Sequence, residues 1–224
     1  MIQSVRVVGS GRAGSALAAR LAERGLAVSS GRDALADADL VLLAVPDAAI
    51  ADVAQRVPIG PWLAHVSGAT SLSALDPHTR RFSVHPLQTL TRERGPQQLD
   101  GAWAAVTAET DEARREARWL ADTLGLHPFD LADADKPLYH AGAAMASNFL
   151  VTLHHAAARL LEESHAPPEA LVPLMTRTIE NGFVLTGPIA RGDWTTVDAH
   201  LRALEERAPD LVPLYRALAE ATRP

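Results

Sequence analysis

A row of polar residues in the C-terminal half has the types and spacing for proton transfer. Lys136, His140, Ser147 and Asn148 fall at i, i+4, i+11 and i+12 of a segment that carries no Pro after Pro137 and no Gly beyond Gly142. On one unbroken α-helix these four side chains lie near one face. Reduction of a carbonyl or imine needs a group that protonates the developing alkoxide or amine, and a hydrogen-bond donor that polarises the double bond. His140 or Lys136 can give the proton, and Asn148 or Ser147 can hold the oxygen; the plainer alternative is that the four line a domain interface or face solvent. His85 is a further candidate. It ends the apolar run 82–84, is fixed by Pro86 and has Gln88 nearby, so it can bind or protonate a ligand, or else serve as a satisfied structural histidine. His154 and His155 are neighbours on the helical segment, about 100° apart around its axis, and cannot chelate one ion. With no H-E-x-x-H and no cysteine in the chain, no metal site is expected.

A reductant is implied by a second motif. Gly9-Ser10-Gly11-Arg12-Ala13-Gly14 directly follows the apolar run 5–8 and opens a segment in which Ala13, Leu17 and Leu21 recur at helical spacing until Gly25. A bare G-x-G-x-x-G is a weak signal, and the strand before it and the helix after it supply the specificity. Gly9 permits the tight turn, Gly11 lets the backbone approach a pyrophosphate, and Gly14 lets the helix pack on the strand. The helix N-terminus then offers N–H groups to the anion. The second strand, residues 26–30, ends without the Asp or Glu that would bind the ribose hydroxyls of NAD. Ser30 and Arg32 instead present a hydroxyl and a guanidinium to a 2′-phosphate, so NADP(H) is the expected cofactor; Asp33 restores the NAD reading if the strand ends later.

These groups need a sheet to hold them. Residues 39–45 form the clearest strand, ending in Val45 and Pro46, with Pro46 shaping the loop beside the nicotinamide ribose and Asp47 placed to cap the helix 48–57. Further strands are expected at 62–66, 82–84, 103–107 and 126–131, with a helix over 111–124 stopped by Gly125. Ser67 and Gly68 end the strand 62–66, where small residues either admit cofactor or substrate or make a simple turn. After residue 131 only helices are expected: 138–164, then 168–181 interrupted or kinked at Pro173 and stopped by Gly182, then 193–207 and 210–222. The reading is an α/β Rossmann-type parallel sheet over residues 1–131 followed by a smaller all-α domain over residues 132–224, with substrate in the cleft between them.

Composition excludes several classes. The 224 residues, 47% of them apolar, can bury a full core. A net charge of −6, from 21 basic and 27 acidic residues without a basic block, argues against nucleic acid as partner. No run of 18 apolar residues occurs, and the N-terminus reads as a strand rather than a signal peptide, so a cytosolic protein that does not enter membranes is expected.

Taken together, the glycine motif, Val45-Pro46-Asp47, His65-Val66-Ser67-Gly68, His85-Pro86-Leu87-Gln88-Thr89, Tyr139-His140-Ala141 with Ser147-Asn148, and Leu185-Thr186-Gly187-Pro188 resemble the family of oxidoreductases that join a Rossmann-like domain to a helical domain of unknown function. That family belongs to a broad group with ketopantoate reductases, pyrroline-5-carboxylate reductases, deazaflavin-linked NADP reductases and prephenate dehydrogenases. Since some members resemble an alternative form of ketopantoate reductase, the resemblance implies NADPH-dependent reduction of a small 2-oxo acid, with ketopantoate the leading specific candidate. Common ketopantoate reductases carry a catalytic Lys with Asn residues four and eight positions later; with His140 at the Lys position, Asn148 matches the second Asn and Ala144 replaces the first. Lys136, one turn earlier, can take over proton transfer or bind the substrate carboxylate. Thr186, with Gly187, Pro188 and Arg191, sits at a helix start where it contacts substrate or caps the helix. The resemblance also implies a homodimer paired through the long helices, for which Leu150, Leu153, Leu160 and Leu161 give apolar surface. Two other functions remain open: an imine reductase of the pyrroline-carboxylate type, and a non-catalytic NADP-binding regulator.

Overall fold

The computed structural model describes residues 2–31 and 38–223; Arg32 and Asp33, which bear on the choice between NADP and NAD, lie outside the described residues. Seven strands form one sheet in the order β2-β1-β3-β4-β5-β6-β7. They are β1 (Ser4–Val8), β2 (Ala27–Gly31), β3 (Leu40–Leu43), β4 (Trp62–His65), β5 (Arg81–Pro86), β6 (Trp103–Ala108) and β7 (His127–Asp130). All neighbouring pairs are parallel except β5 with β6. The sheet is thus the parallel-dominated one expected, with β5 and β6 as its antiparallel pair. A parallel connection requires a crossover, usually an α-helix, and the segment between these two strands holds only the short 3₁₀ turn Pro96–Leu99.

Helix α1 (Arg12–Glu23) and helix α3 (Asp111–Leu124) cover one face of the sheet, and α2 (Ile50–Ala54) covers the other. The strand β3 explains why its sequence is continuously apolar. Leu40 and Leu42 pack with Val5, Leu17, Phe82 and Leu120, while Val41 and Leu43 pack with Val8, Ile50, Leu63 and Leu75 on the opposite face. Local signals in α3 agree with its bounds: Thr110 caps it by accepting from the Ala113 N–H at 3.1 Å, and Gly125 ends it at φ +81°. Asp47 does not cap α2 as expected. A 3₁₀ turn, Asp47–Ala49, begins at that residue with no side-chain cap, and its carboxylate turns toward Ser67 instead.

Contacts divide the chain into two compact units, residues 1–145 and 146–224. Helix α4 (Lys136–Ala144) falls in the first. The expected single helix over 138–164 is interrupted by a π-turn, Met145–Phe149, before α5 (Leu150–Glu163). A π-turn closes its hydrogen bonds over five residues rather than four. The 3.6-residue phase that put Lys136, His140, Ser147 and Asn148 on one face therefore does not carry through it. The second unit continues with α6 (Leu171–Glu180), α7 (Trp194–Arg207) and α8 (Val212–Ala221). Pro173 does not interrupt α6, because it sits in the first turn, where its missing N–H removes no intrahelical bond. Arg159 of α5 forms an ion pair with Asp210 at 2.6 Å. Among the described residues no helix is long and apolar enough to cross a membrane.

Candidate functional site

The loop between β1 and α1 has the geometry its glycines predict. Gly9 adopts φ +117°, and a Cβ there would stand 2.2 Å from the Ala44 carbonyl oxygen. At Gly14 a Cβ would stand 2.0 Å from the Gly9 carbonyl oxygen, so both glycines are imposed by packing. Gly11 is different: nothing lies within 4 Å of the position its Cβ would occupy. Packing within the chain therefore leaves Gly11 open to an external group. Helix α1 begins there with no side-chain cap and no acidic residue in its first turn. An uncapped helix start behind an open glycine fits a dinucleotide pyrophosphate. Ser10 and Arg12 are exposed beside it, Ala13 is half-buried, and Ser30 is exposed near the end of β2.

A second cluster forms at the carboxyl ends of β4 and β5, where ligands of open α/β sheets bind. In β5, residues 83 and 85 share one face by the two-residue alternation of a strand. Ser83 pairs in register with His65 of β4, which sets two imidazoles and a hydroxyl on that face. Lys136 then buries its ammonium against them. It is 2% exposed and donates to the Thr70 carbonyl at 2.7 Å and the Ser83 hydroxyl at 2.9 Å, with Asp133 at 3.4 Å. Those three contacts engage its three N–H groups, so Lys136 does not point a free proton at a ligand.

His85 turns outward from the same face toward α4. Its Nδ1 lies 2.8 Å from the Tyr139 hydroxyl, and its ring meets those of Tyr139 and His140 edge-on at 5.5 and 5.9 Å. Gly68 makes this convergence possible. A Cβ there would stand 2.7 Å from His85 Cε1 and 2.8 Å from His140 Nδ1. Ser67 organises the same turn. Its hydroxyl accepts from the Ala69 and Thr70 N–H groups at 3.2 and 3.0 Å and bonds Asp47 at 2.8 Å, tying the end of β3 to the end of β4. Asp133 binds the Ser71 hydroxyl at 2.5 Å and the Leu72 N–H at 3.0 Å.

Burial sets the charge states. It drives the His65 pKa down to about 3, helped by Lys136 and His85 and opposed by Asp133. Burial also drives His85 down to about 4, helped by His140 and Lys136 and opposed by Asp47. It lowers Lys136 as well, against the pull of Asp133, and raises the Tyr139 phenol to about 12. Burial disfavours the Asp133 carboxylate, yet Ser71, Leu72 and Lys136 together hold it below the usual range. Tyr139 is thus a protonated donor and His85 a neutral imidazole at neutral pH. Between pH 6.5 and about 4 an unfolded chain binds more protons at these histidines than the native one, so stability must fall as the pH drops through that window. Thermal melts should show a flat Tm above pH 7 and a decline below it; a constant Tm from pH 7 to about 4.5 would contradict two buried neutral histidines.

The structure brings His85, Lys136, His140 and Ser67 together, with Val45 half-buried and Pro46 exposed at the end of β3. Ser147 and Asn148 lie in the π-turn of the second unit, and Thr186 lies in that unit's segment before α7. Thr186 is not a helix cap: Asp193 caps α7 through the Thr196 N–H at 3.1 Å, and the Thr186 carbonyl accepts from Arg191. Sequence reasoning passed over Tyr139, Asp133 and Ser83 as site residues. Ser83 had a legible signal, standing two positions before His85 on the same strand face. Among the described residues no group of three His, Asp or Glu side chains is placed to hold a metal ion.

Comparison with known proteins supports the fold. Residues 102–222 match the family model described as domain of unknown function DUF2520, and residues 26–89 match a Rossmann-like domain. No curated protein matches in sequence. Among solved structures, the candidate NADP oxidoreductase BF3122 of Bacteroides fragilis is similar at TM-score 0.82 and 20% identity, covering 98% of this chain and 97% of that one. Protein TM1727 of Thermotoga maritima is similar at TM-score 0.70 and 23% identity, over 97% and 98% of the two chains. The 1-pyrroline-5-carboxylate reductase of Streptococcus pyogenes reaches TM-score 0.60 at 16% identity, over 98% and 96%. At such identities the likeness is one of fold.

Proposed function

The chain belongs to the DUF2520 family, and from that premise we propose that it is an NADPH-dependent reductase of a small 2-oxo acid, with ketopantoate the first candidate. The observation that carries this reading is the meeting of His85, Tyr139 and His140 over Gly68, at the carboxyl edge of the sheet whose first turn is the open glycine loop. In it, Gly9, Gly11 and Gly14, with Ser10, Arg12 and Ala13, hold the pyrophosphate, and Ser30 and Arg32 receive the 2′-phosphate. The nicotinamide, when bound, supplies the hydride.

The chain's own residues supply the rest. Tyr139, kept protonated by burial, donates its O–H to the substrate oxygen while the His85 Nδ1–H donates to the phenol oxygen and fixes it. Charge develops on the substrate oxygen during reduction, and a preorganised donor lowers the barrier most at that moment. His140 Nδ1, next to the position a Cβ on Gly68 would occupy, delivers the proton. Lys136 acts from behind: burial keeps His65 and His85 neutral, with its ammonium adding to the effect, and its contacts lock β5 to the turn after β4. The proposed chemistry uses residues of the first unit; Ser147, Asn148 and Thr186 lie on the second.

Absorbance of NADPH, followed against a panel of 2-oxo acids including ketopantoate and against cyclic imines, tests the reading. Consumption with a 2-oxo acid is expected, with NADH the poorer cofactor. If no compound is consumed while NADPH raises the Tm, the protein is a nucleotide-binding regulator instead. We also propose a homodimer, supported by the exposed Leu150, Val151, Val172, Leu174 and Ile179 of the helical unit. Sedimentation should give twice the 23.9 kDa chain mass; a monomer at micromolar concentration would remove that part.

A further inference from the structure

A cavity of about 360 Å³ opens on the flank of α1, lined by Arg12 and Ser15 of the helix and by Arg92 and Arg94 of the segment joining β5 to β6. Three arginines thus line one pocket. Among the described residues none of the three forms an ion pair, whereas Arg20, Arg81, Arg114 and Arg118 of the same unit each face a carboxylate.

The segment carrying Arg92 and Arg94 is held in shape by side chains. Gln98 accepts from the Thr91 N–H at 2.9 Å, and its amide group reaches the Thr91, Arg94 and Gly95 carbonyls at 3.2, 3.0 and 3.0 Å. Arg20, 7% exposed, donates to the Pro96 carbonyl at 2.8 Å and pairs with Asp100 at 2.9 Å, pinning the end of the segment to α1. Like charges fixed in one pocket repel one another, and an anion removes that cost. Guanidinium forks match phosphoryl oxygens in pairs, and a braced loop loses little entropy when it closes on them.

We propose that this pocket is an anion subsite that takes a phosphoryl group. Arg12 belongs both to it and to the glycine loop, which favours a phosphate of the bound dinucleotide as the source; in that form the inference rests on the cofactor reading above. A separate phosphorylated small molecule would use the same chemistry. Isothermal titration of NADPH and of inorganic pyrophosphate, into the wild type and into the double variant Arg92→Ala/Arg94→Ala, distinguishes the sources. Both arginines are exposed, so the variant should melt like the wild type.

The expected result is NADPH binding weakened about tenfold or more, the usual scale for lost charged hydrogen bonds. Weakened pyrophosphate binding with unchanged NADPH affinity supports the pocket and assigns it to a separate ligand. If the wild type binds no NADPH, the cofactor reading fails and the pyrophosphate comparison still decides the pocket. The inference is overturned if neither ligand distinguishes the variant from the wild type.

Discussion

Gly11→Ala is expected to melt like the wild type and to bind dinucleotide about a hundredfold more weakly, a loss of about 3 kcal/mol in binding. Nothing stands within 4 Å of the new methyl group, so the native packing accepts it. The methyl group instead occupies space that the pyrophosphate needs at the start of α1. Gly14→Ala should do the opposite. Its methyl carbon would stand 2.0 Å from the Gly9 carbonyl oxygen, and relieving that clash should cost about 3 kcal/mol of stability, as overpacked sites do. Thermal melts and NADPH fluorescence titrations on the two variants separate these effects. If Gly11→Ala bound NADPH normally, the open space at that residue would not be the phosphate site.

Tyr139→Phe should lower kcat about a hundredfold or more while leaving NADPH affinity within about twofold, as loss of a transition-state donor does. The phenylalanine keeps the edge-on packing that Tyr139 makes with Phe129 at 5.9 Å and removes only the hydroxyl that meets His85 at 2.8 Å. A melting temperature near that of the wild type would confirm that the loss is chemical. His140→Ala should also lose turnover and keep NADPH binding, with a smaller kcat effect at low pH, where solvent protons substitute for the missing donor. Unchanged turnover in both variants would remove the cluster over Gly68 from the reaction.

Features encoded locally were legible in the chain. The glycine loop, the continuous apolar strand β3 and the stop at Gly125 each depend on residues within a few positions of one another. The reversal of β6 was not legible, because nothing near Trp103 states the direction in which a strand will pair. The π-turn over Met145–Phe149 carries neither Pro nor Gly to announce it. Lys136 shows the limit most clearly. Its spacing from His140 suggested a proton donor, but its environment is fixed by Thr70 and Ser83, far away in the chain. Tyr139 was passed over for the converse reason, since its value comes from His85, 54 positions earlier. Arg92 and Arg94 likewise became a pocket only when Gln98 and Arg20 placed their segment against α1.

The glycine loop and the cluster over Gly68 are proposed to serve one bound cofactor. A crystal structure of the NADPH complex tests this proposal most directly. A pyrophosphate hydrogen-bonded at the N-terminus of α1 beside Gly11 is expected, with the nicotinamide ring in van der Waals contact with His85 and Tyr139, beside Gly68. A dinucleotide bound elsewhere, or a nicotinamide remote from Gly68 with the pyrophosphate in place, would contradict it.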